Sequence, residues 1–598
     1  MSRRLIGAGL LTGLLLTVVG VPTALAQGDT TPDESGDTVT LTIGLLQDLS
    51  SPNVTVGFLV PDYEVWNLQY ASLTDKAADD FETVPGLAES WEESNDGLTY
   101  TYTLREELAW SDGEPLTADD IAYTVNRSRD EEWSNHFSTT GNLDAVVIDE
   151  RTVEITSSVP DPRLPGMDAY IVPEHIYSEL SADDLASYDG LDGVASGQYS
   201  LTEWRSGQDW TMEENPNWYG DDNGIDRIVF RVFTNGDAMV AALQAGEIDA
   251  AHEVPRSALE RLQGDDNIET VSGEQGSFTE LAMNGGAGGI GDGHPALQDL
   301  TVRHAIAHAI DREVLHERVA LDTGSVGATM IPSADPAWSP ELSDDEAFEF
   351  DPDLANSMLD DAGYLDTDGD GVREMPDAGE PLDFRYVERS ESEPAPAIRE
   401  FITQWLSAIG IATEVSVMDD GQLYEVSIAG NYDLFVWAWT PFVDPDPMLS
   451  NFTCAQLTTD VDEPGSNDAN WCDPAYDELY EQQRVELDRD RRIEIVHEMV
   501  KFFHENGTYV VLLADADPQA YRTDRFEGWT RQPSAIGPVL FANSSPTYAN
   551  LRLVEGGSSS DGGLSAGLLI ALIAGAIVVV GGGAFVLTRS RGSADDRE

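Results

Sequence analysis

Lysine is all but missing from this sequence. Lys76 and Lys501 are the only two in 598 residues, and every other basic side chain is arginine. Basic residues number 32 against 110 acidic ones, for a formal net charge of −78. A surface of that sign repels phosphate backbones and anionic membrane faces, so nucleic acid is excluded as a partner. Cysteine is nearly as scarce, with Cys454 and Cys472 alone. No histidine lies between or beside them, so a Cys/His metal site lacks its ligands. No phosphate-binding glycine loop is present, so any ATP must be used by a partner. His497-Glu498 is followed by Lys501 where a zinc protease needs its second histidine. Gly563-Leu564-Ser565-Ala566-Gly567 spells a nucleophile elbow, but no strand precedes it. A tethered cell-surface hydrolase, the alternative class, therefore has no nucleophile–base pair and no metal set.

What is present begins with the distribution of acid. The carboxylates are spread along segments that also carry regular apolar patterns, which is unlike a disordered acidic tail. They describe a folded protein with a carboxylate-rich surface, as in organisms living in molar salt. There the Debye length is about 3 Å and like charges barely repel. The N-terminus reads as an export signal over residues 1–26: Arg3-Arg4, an apolar run from Leu5 to Val21, and Ala24-Leu25-Ala26 for cleavage. No cysteine follows to carry a lipid. Near the C-terminus Leu564 to Leu587 is uncharged. At 1.5 Å per residue it spans about 36 Å, enough to cross a ~30 Å hydrocarbon core. Arg589 and Arg591 then place the tail, 588–598, in the cytoplasm. Residues 27–38 read as a linker, 39–555 as an ectodomain outside the cell, and Gly556 to Gly563 as a flexible stalk. In an oxidising compartment Cys454 and Cys472 are expected to pair, closing a loop worth about 3 kcal/mol at most.

The ectodomain alternates strands and helices, which makes it α/β. Thr99 to Leu104 has period-two alternation, with Tyr100, Tyr102 and Leu104 on one face. Thr117 is expected to cap a helix, with Asp120 closing a capping box. Arg227 to Phe233 reads as a strand, and the helix after it ends at Gly246. Tyr432 to Trp439 and Thr508 to Leu513 read as buried strands. Ile493, Val496, Val500 and Phe503 mark one face of a long helix.

Several of these stretches have wording that resembles one family. Leu87 to Asp130 (LAESWEESNDGLTYTYTLREELAWSDGEPLTADDIAYTVNRSRD), Gly197 to Asp249, Val302 to Leu315 and Ile402 to Val417 resemble the extracellular solute-binding proteins of ABC importers, oligopeptide/dipeptide-receptor family (family 5), in a haloarchaeal form. The resemblance runs from about Val39 to Val554. It implies a two-lobed periplasmic-binding-protein-like fold of class II type with an extra subdomain. Its expected work is to close on a peptide-like solute and deliver it to a membrane permease driven by a cytoplasmic ATPase. Nickel complexes and oligosaccharides are bound by other members.

The ligand site is expected where the aromatic strand ends, at Trp437, Trp439, Phe442 and Asp444, with Asn284 as a further cleft candidate. Aromatics line pockets and an acid pairs with a ligand cation. Peptide-binding relatives carry an acid just after this strand for the α-amino group. Here Phe442 stands near that place and Asp444 follows two residues later. No cofactor is expected, apart from a structural Ca²⁺: Asp366, Asp368 and Asp370, followed by Gly371, match positions 1, 3, 5 and 6 of a calcium loop. Asp377 holds position 12, where a glutamate is usual. His304 and His308 are four apart, but their helix buries the opposite stripe, so both are expected to face solvent.

Overall fold

Alternation on a pleated strand sends successive side chains to opposite faces. Thr99–Leu104 does this: its two tyrosines and its leucine are buried while the threonines stay half-exposed. The strand belongs to a four-stranded antiparallel sheet with Ala88–Glu93, Thr152–Ser157 and Leu143–Asp149. The helix Ala118–Asp130 covers this sheet and starts on a Thr117/Asp120 capping box. This computed structural model describes residues 38–554, except Phe58, Asn95, 134–136, Asp168, Asp192, 287–288, 333–335, 377–378, Glu391, Glu393, 440–442, 462–463 and 542–545. The expected signal, stalk, span and tail lie outside the described residues. Among the described residues no helix is long and apolar enough to cross a membrane.

The main sheet has eleven strands, labelled here in chain order: β1 (Thr40–Leu45), β2 (Tyr199–Arg205), β3 (Asp209–Glu214), β4 (Arg227–Val232), β5 (Ala250–Ala251), β6 (Ile268–Met283), β7 (Ser325–Val326), β8 (Asp383–Arg389), β9 (Ala412–Met418), β10 (Leu434–Trp439) and β11 (Tyr509–Arg522). They run in the order β9-β8-β10-β6-β11-β5-β1-β4-β3-β2, with β7 paired to β11. Two strands are far longer than the others, and they explain the architecture. The first half of β6, Ile268–Glu274, pairs with the end of β11, Ala516–Arg522. The second half, Phe278–Ala282, pairs with its beginning, Tyr509–Ala514. Between the halves the register breaks, a bulge that bends a strand pair. Gly276 lies inside this break with φ +84°, a conformation cheap only for glycine.

The break divides the body into two lobes with separate cores. One core draws on residues 41–271 together with Tyr521, Phe526, Val539, Leu540, Tyr548 and Leu551. Two others lie wholly within residues 278–513. The chain therefore enters the second lobe along β6 and returns along β11. The four-stranded sheet contributes Tyr100, Tyr102, Val153 and Ile155 to the core of the first lobe. Gly246 ends its helix at φ +73°, as the composition there predicts.

The sequence reading of β11 falls short. It stops β11 at Leu513, whereas the strand continues to Arg522. The continuation reads Ala514-Asp515-Ala516-Asp517-Pro518, which looks like a turn. It is a strand because it crosses between lobes, where carboxylates can stay half-buried.

Candidate functional site

The site starts from strand chemistry. Residues directly opposite each other across antiparallel strands share a face. In β10, Trp437 stands opposite Glu280 of β6 and Trp439 opposite Phe278. In β11, Tyr509 stands opposite Ala282, and so lies on the same face. The result is an aromatic surface next to the register break. Trp437 and Trp439 are half-buried. The Trp439 Nε1 donates to the Tyr509 hydroxyl at 3.2 Å, and that hydroxyl donates to the Asp468 carboxylate. Arg389 lies over the Trp437 ring, 3.9 Å from its centre, a close cation–π contact. The Asp515 carboxylate, on β11 at the crossing itself, accepts from Thr279 Oγ1 at 2.8 Å. Burial pushes the Asp468 carboxyl up to about 7. Burial, then the nearby Asp468, raises Glu280 well above the carboxylate range.

A second polar group lies just beyond the end of β10. Asp444 accepts two hydrogen bonds from Arg492, at 2.6 and 2.7 Å, and the Asp446 amide at 2.9 Å. Burial alone would raise the Asp444 carboxyl, but the Arg492 charge and these bonds outweigh it and hold it low. Arg492 is itself 4% exposed and packs 5.0 Å from the Trp338 ring. Asp446 accepts from Gln483 at 2.7 Å and from Arg163 at 3.0 Å. Arg163 belongs to the first lobe and also grips Asp161 at 2.7 Å. Nearby, Val443 of the second lobe packs on the Phe81–Phe541 pair of the first. The lobes are thus in contact beside the aromatic strand end.

The expected site residues divide accordingly. Trp437 and Trp439 are brought together on the face described. Asp444 is not left free for a ligand cation, because Arg492 neutralises it. Asn284 is no cleft residue either. It is 2% exposed, donates to the Gly430 and Tyr432 carbonyls at 3.0 and 2.9 Å, and fastens a loop inside the second lobe. Phe442 lies outside the described residues. Asp366, Asp368, Asp370 and also Glu374 bring one oxygen each within 4.8 Å of one another. All four accept hydrogen bonds from amides of their own loop, among them Gly369 and Gly371 on Asp366 and Thr367 on Glu374. Asp377 lies outside the described residues. Cys454 and Cys472 are joined, with Cα atoms 4.9 Å apart. His304 and His308 are not solvent-facing as expected. Both are half-buried, pack on Phe348, and bond the Glu505 and Glu349 carbonyls. The loop that carries Phe348 covers the helix face that counting alone leaves open.

Glu280, Asp468, Asp515, Tyr509, Arg163 and Arg492 were missed. Glu280 did leave a signal: it is the one charged residue in the otherwise uncharged run Phe278 to Met283. The others come from distant parts of the chain and share no motif.

Two lobes joined by a pair of crossing strands, with an aromatic surface at the junction, define a binding protein that closes on a solute. The family model for bacterial extracellular solute-binding proteins, family 5 (middle), matches residues 82–458, and the chain belongs to that family. It is a solute-binding protein and not an enzyme. Its relatives include the oligopeptide-binding protein AppA of Bacillus subtilis, 26% identical over 69% of this chain and 75% of that one. The dipeptide-binding protein of Escherichia coli is 22% identical over 72% of this chain and 81% of its own length. Among solved structures, NikZ of Campylobacter jejuni in complex with Ni(L-His) superposes with a TM-score of 0.71 at 21% identity, covering 86% of this chain and 99% of that one. AppA of Bacillus subtilis in complex with a nonapeptide gives 0.68 at 21% identity, covering 87% and 100%. These superpositions establish the two-lobed fold.

Proposed function

We propose that the chain is the receptor of an ABC importer that captures a peptide-like solute between its lobes and hands it to a membrane permease. The observation that carries this reading is the pairing of Trp437 and Trp439 on one face beside the interlobe crossing. Flat aromatic surfaces give area to a backbone-rich ligand without demanding one side chain. The names of AppA and of the Escherichia coli relative, both peptide-binding, support the same class. The described residues of this face include no histidine, which favours a peptide over a nickel complex. Lobe closure, as a population shift driven by the ligand, is the only event the receptor needs.

The test is direct. The whole chain is purified in molar salt and its denatured extract analysed by mass spectrometry for retained peptides. Tryptophan fluorescence then follows titration with peptides of two to nine residues. Trp439→Ala is expected to weaken binding by about tenfold or more, the cost of losing a buried aromatic anchor. No retained peptide and no peptide-dependent signal would remove the reading.

The same proposal places the receptor at the cell surface. The uncharged run from Leu564 to Leu587 would hold it to the membrane with residues 27–563 outside, which raises its concentration near the permease. Protease added to intact cells should then release a large soluble fragment. Full protection of residues 27–563 would contradict the topology.

A further inference from the structure

Glu280 is an anomaly in this fold. It lies in the middle of β6, between β10 and β11, and is 0% exposed. Both of its carboxylate oxygens are buried without a hydrogen-bond partner. Among the described residues it is the only acid in that condition. A buried carboxyl with no partner is costly in either protonation state, and far more so when charged. Its charged surroundings make the position worse. Asp468 and Asp515 both act on it with the same sign, and Arg389 is the cation that opposes them. Arg389 is drawn over the Trp437 ring and donates no hydrogen bond to Glu280.

Nothing in the fold explains why an acid should occupy this place. Its neighbours along the strand include Phe278, Leu281 and Ala282, all buried in cores. A methionine or leucine would fill the same volume without a desolvation penalty. The position makes sense if the missing charge comes from outside. It lies on the face that carries Trp437, Trp439 and Tyr509, and Asp515 lies where β11 passes between the lobes. Aromatic rings next to carboxylates are the surroundings that hold an ammonium or a guanidinium, through the ring faces and through charge.

We propose that Glu280, with Asp468 and Asp515 beside it and Trp437 and Trp439 as walls, forms a subsite for a positively charged group of the solute. This deepens the receptor reading above and rests on it, adding that the preferred solute is cationic. The cation is either the solute's free α-amino group or a lysine or arginine side chain, since both offer the same chemistry to a carboxylate. The bound cation gives Glu280 the partner that it lacks. It also lets the acid cluster ionise, so binding near neutrality releases protons from Glu280 and Asp468. The groups facing this equilibrium are Asp468, Asp515, Tyr509 and Arg389.

The experiment uses the whole chain in molar salt, as wild type, Glu280→Gln and Asp515→Asn. Near-UV circular dichroism confirms that each is folded. Five probes are titrated by calorimetry: tri-alanine with a free amine, N-acetyl-tri-alanine amide, N-acetyl-Ala-Lys-Ala amide, its norleucine counterpart, and the non-peptide amine agmatine. Wild type is expected to prefer the cationic member of a pair, and Glu280→Gln to lose that preference by about tenfold or more. Asp515→Asn should lose a smaller part. Proton release measured in buffers of different ionisation enthalpy should fall in Glu280→Gln. Loss confined to the free-amine peptide assigns the α-amino group, and loss confined to the lysine peptide assigns a side chain. If agmatine binds in a Glu280-dependent way and no peptide does, the subsite stands and the peptide reading falls. If neutral and cationic peptides bind wild type and Glu280→Gln alike, the peptide reading stands and the cation subsite is wrong. If no cationic probe shows Glu280-dependent binding, the inference is overturned.

Discussion

Transfer from molar salt to dilute buffer is expected to unfold this protein, with loss of near-UV circular dichroism that molar KCl or NaCl prevents. The cause is the −78 formal charge. At about 0.01 M salt the Debye length is about 30 Å, the size of a domain, so nearly all the carboxylates repel one another. At about 1 M it is about 3 Å, and only neighbours interact. Several of the few cations serve more than one acid each. Arg129 pairs with Asp130 and Asp144, Arg151 with Glu89 and Glu106, Arg163 with Asp161 and Asp446, and Arg385 with Asp292 and Asp433. Arginine's planar, weakly hydrated head suits that double pairing better than lysine's ammonium. Such pairs are nevertheless too few to balance the charge. A midpoint of thermal unfolding that stays flat from low to molar salt would show that the acidity has another purpose.

The same prediction has a pH arm with a definite sign. Burial pushes the Asp468 carboxyl up to about 7. A raised folded-state carboxyl contributes stability that is fully present below its unfolded value and lost as pH rises through about 7. Burial, first of all, raises Glu280 and Asp515 as well, which adds in the same direction. His304 and His504 act oppositely. Burial lowers both, so stability from their neutral rings is present above the ordinary histidine value of 6.5 and lost as pH falls through their lowered ones. Acidifying from about pH 8 to about 6 therefore engages the carboxyls before the histidines, and low-salt unfolding should be partly relieved there. Further acidification should bring diminishing returns. Asp468→Asn should flatten the rise between those two pH values, and an unchanged profile in that variant would show that Asp468 is not its source.

The second large effect belongs to the ion pair at the end of the aromatic strand. Arg492→Met is expected to destabilise the second lobe by about 3–5 kcal/mol, because it leaves Asp444 charged and without its partner. Chemical unfolding in molar salt measures it. Asp444→Asn combined with Arg492→Met should recover much of the loss, since the penalty lies in the uncompensated charge and not in the absence of a bond. Arg163→Ala provides the contrast. It cuts a partly exposed contact between lobes, so its effect on unfolding should stay within about 1 kcal/mol. Its effect should appear as a larger radius of gyration in solution and faster release of bound ligand. A single Arg492→Met variant as stable as wild type would show that Asp444 is satisfied by other means.

Much of the fold was legible because its causes are local. Thr99 to Leu104 carries its own alternation, Gly246 ends its helix by tolerating a left-handed turn, and Thr117 with Asp120 closes a capping box within one turn. Each depends on residues within a few positions of one another. Of the candidate site, only the tryptophans of β10 coincided with such a pattern. Asp444 was misread because its partner Arg492 comes 48 residues later, on the far side of the disulfide loop. Asn284 was misread because the carbonyls that occupy it come from residues 430 and 432.

The sequence by itself determined the class of protein, the sign and density of its surface charge, the pairing of its two cysteines and the strand that presents the aromatics. The class follows from the resemblance of several long stretches to one family, and the others follow from composition and short-range pattern. Only the tertiary structure decided that β6 and β11 run on through polar text to join two lobes, that Arg163 reaches Asp446 from the other lobe, and that Glu280 meets Asp468 and Asp515 without a partner of its own. The physical reason is that charge and burial depend on distance in space. Glu280 and Asp468 are separated by 188 positions along the chain, and nothing in the residues between them records that folding brings two acids within electrostatic reach of each other.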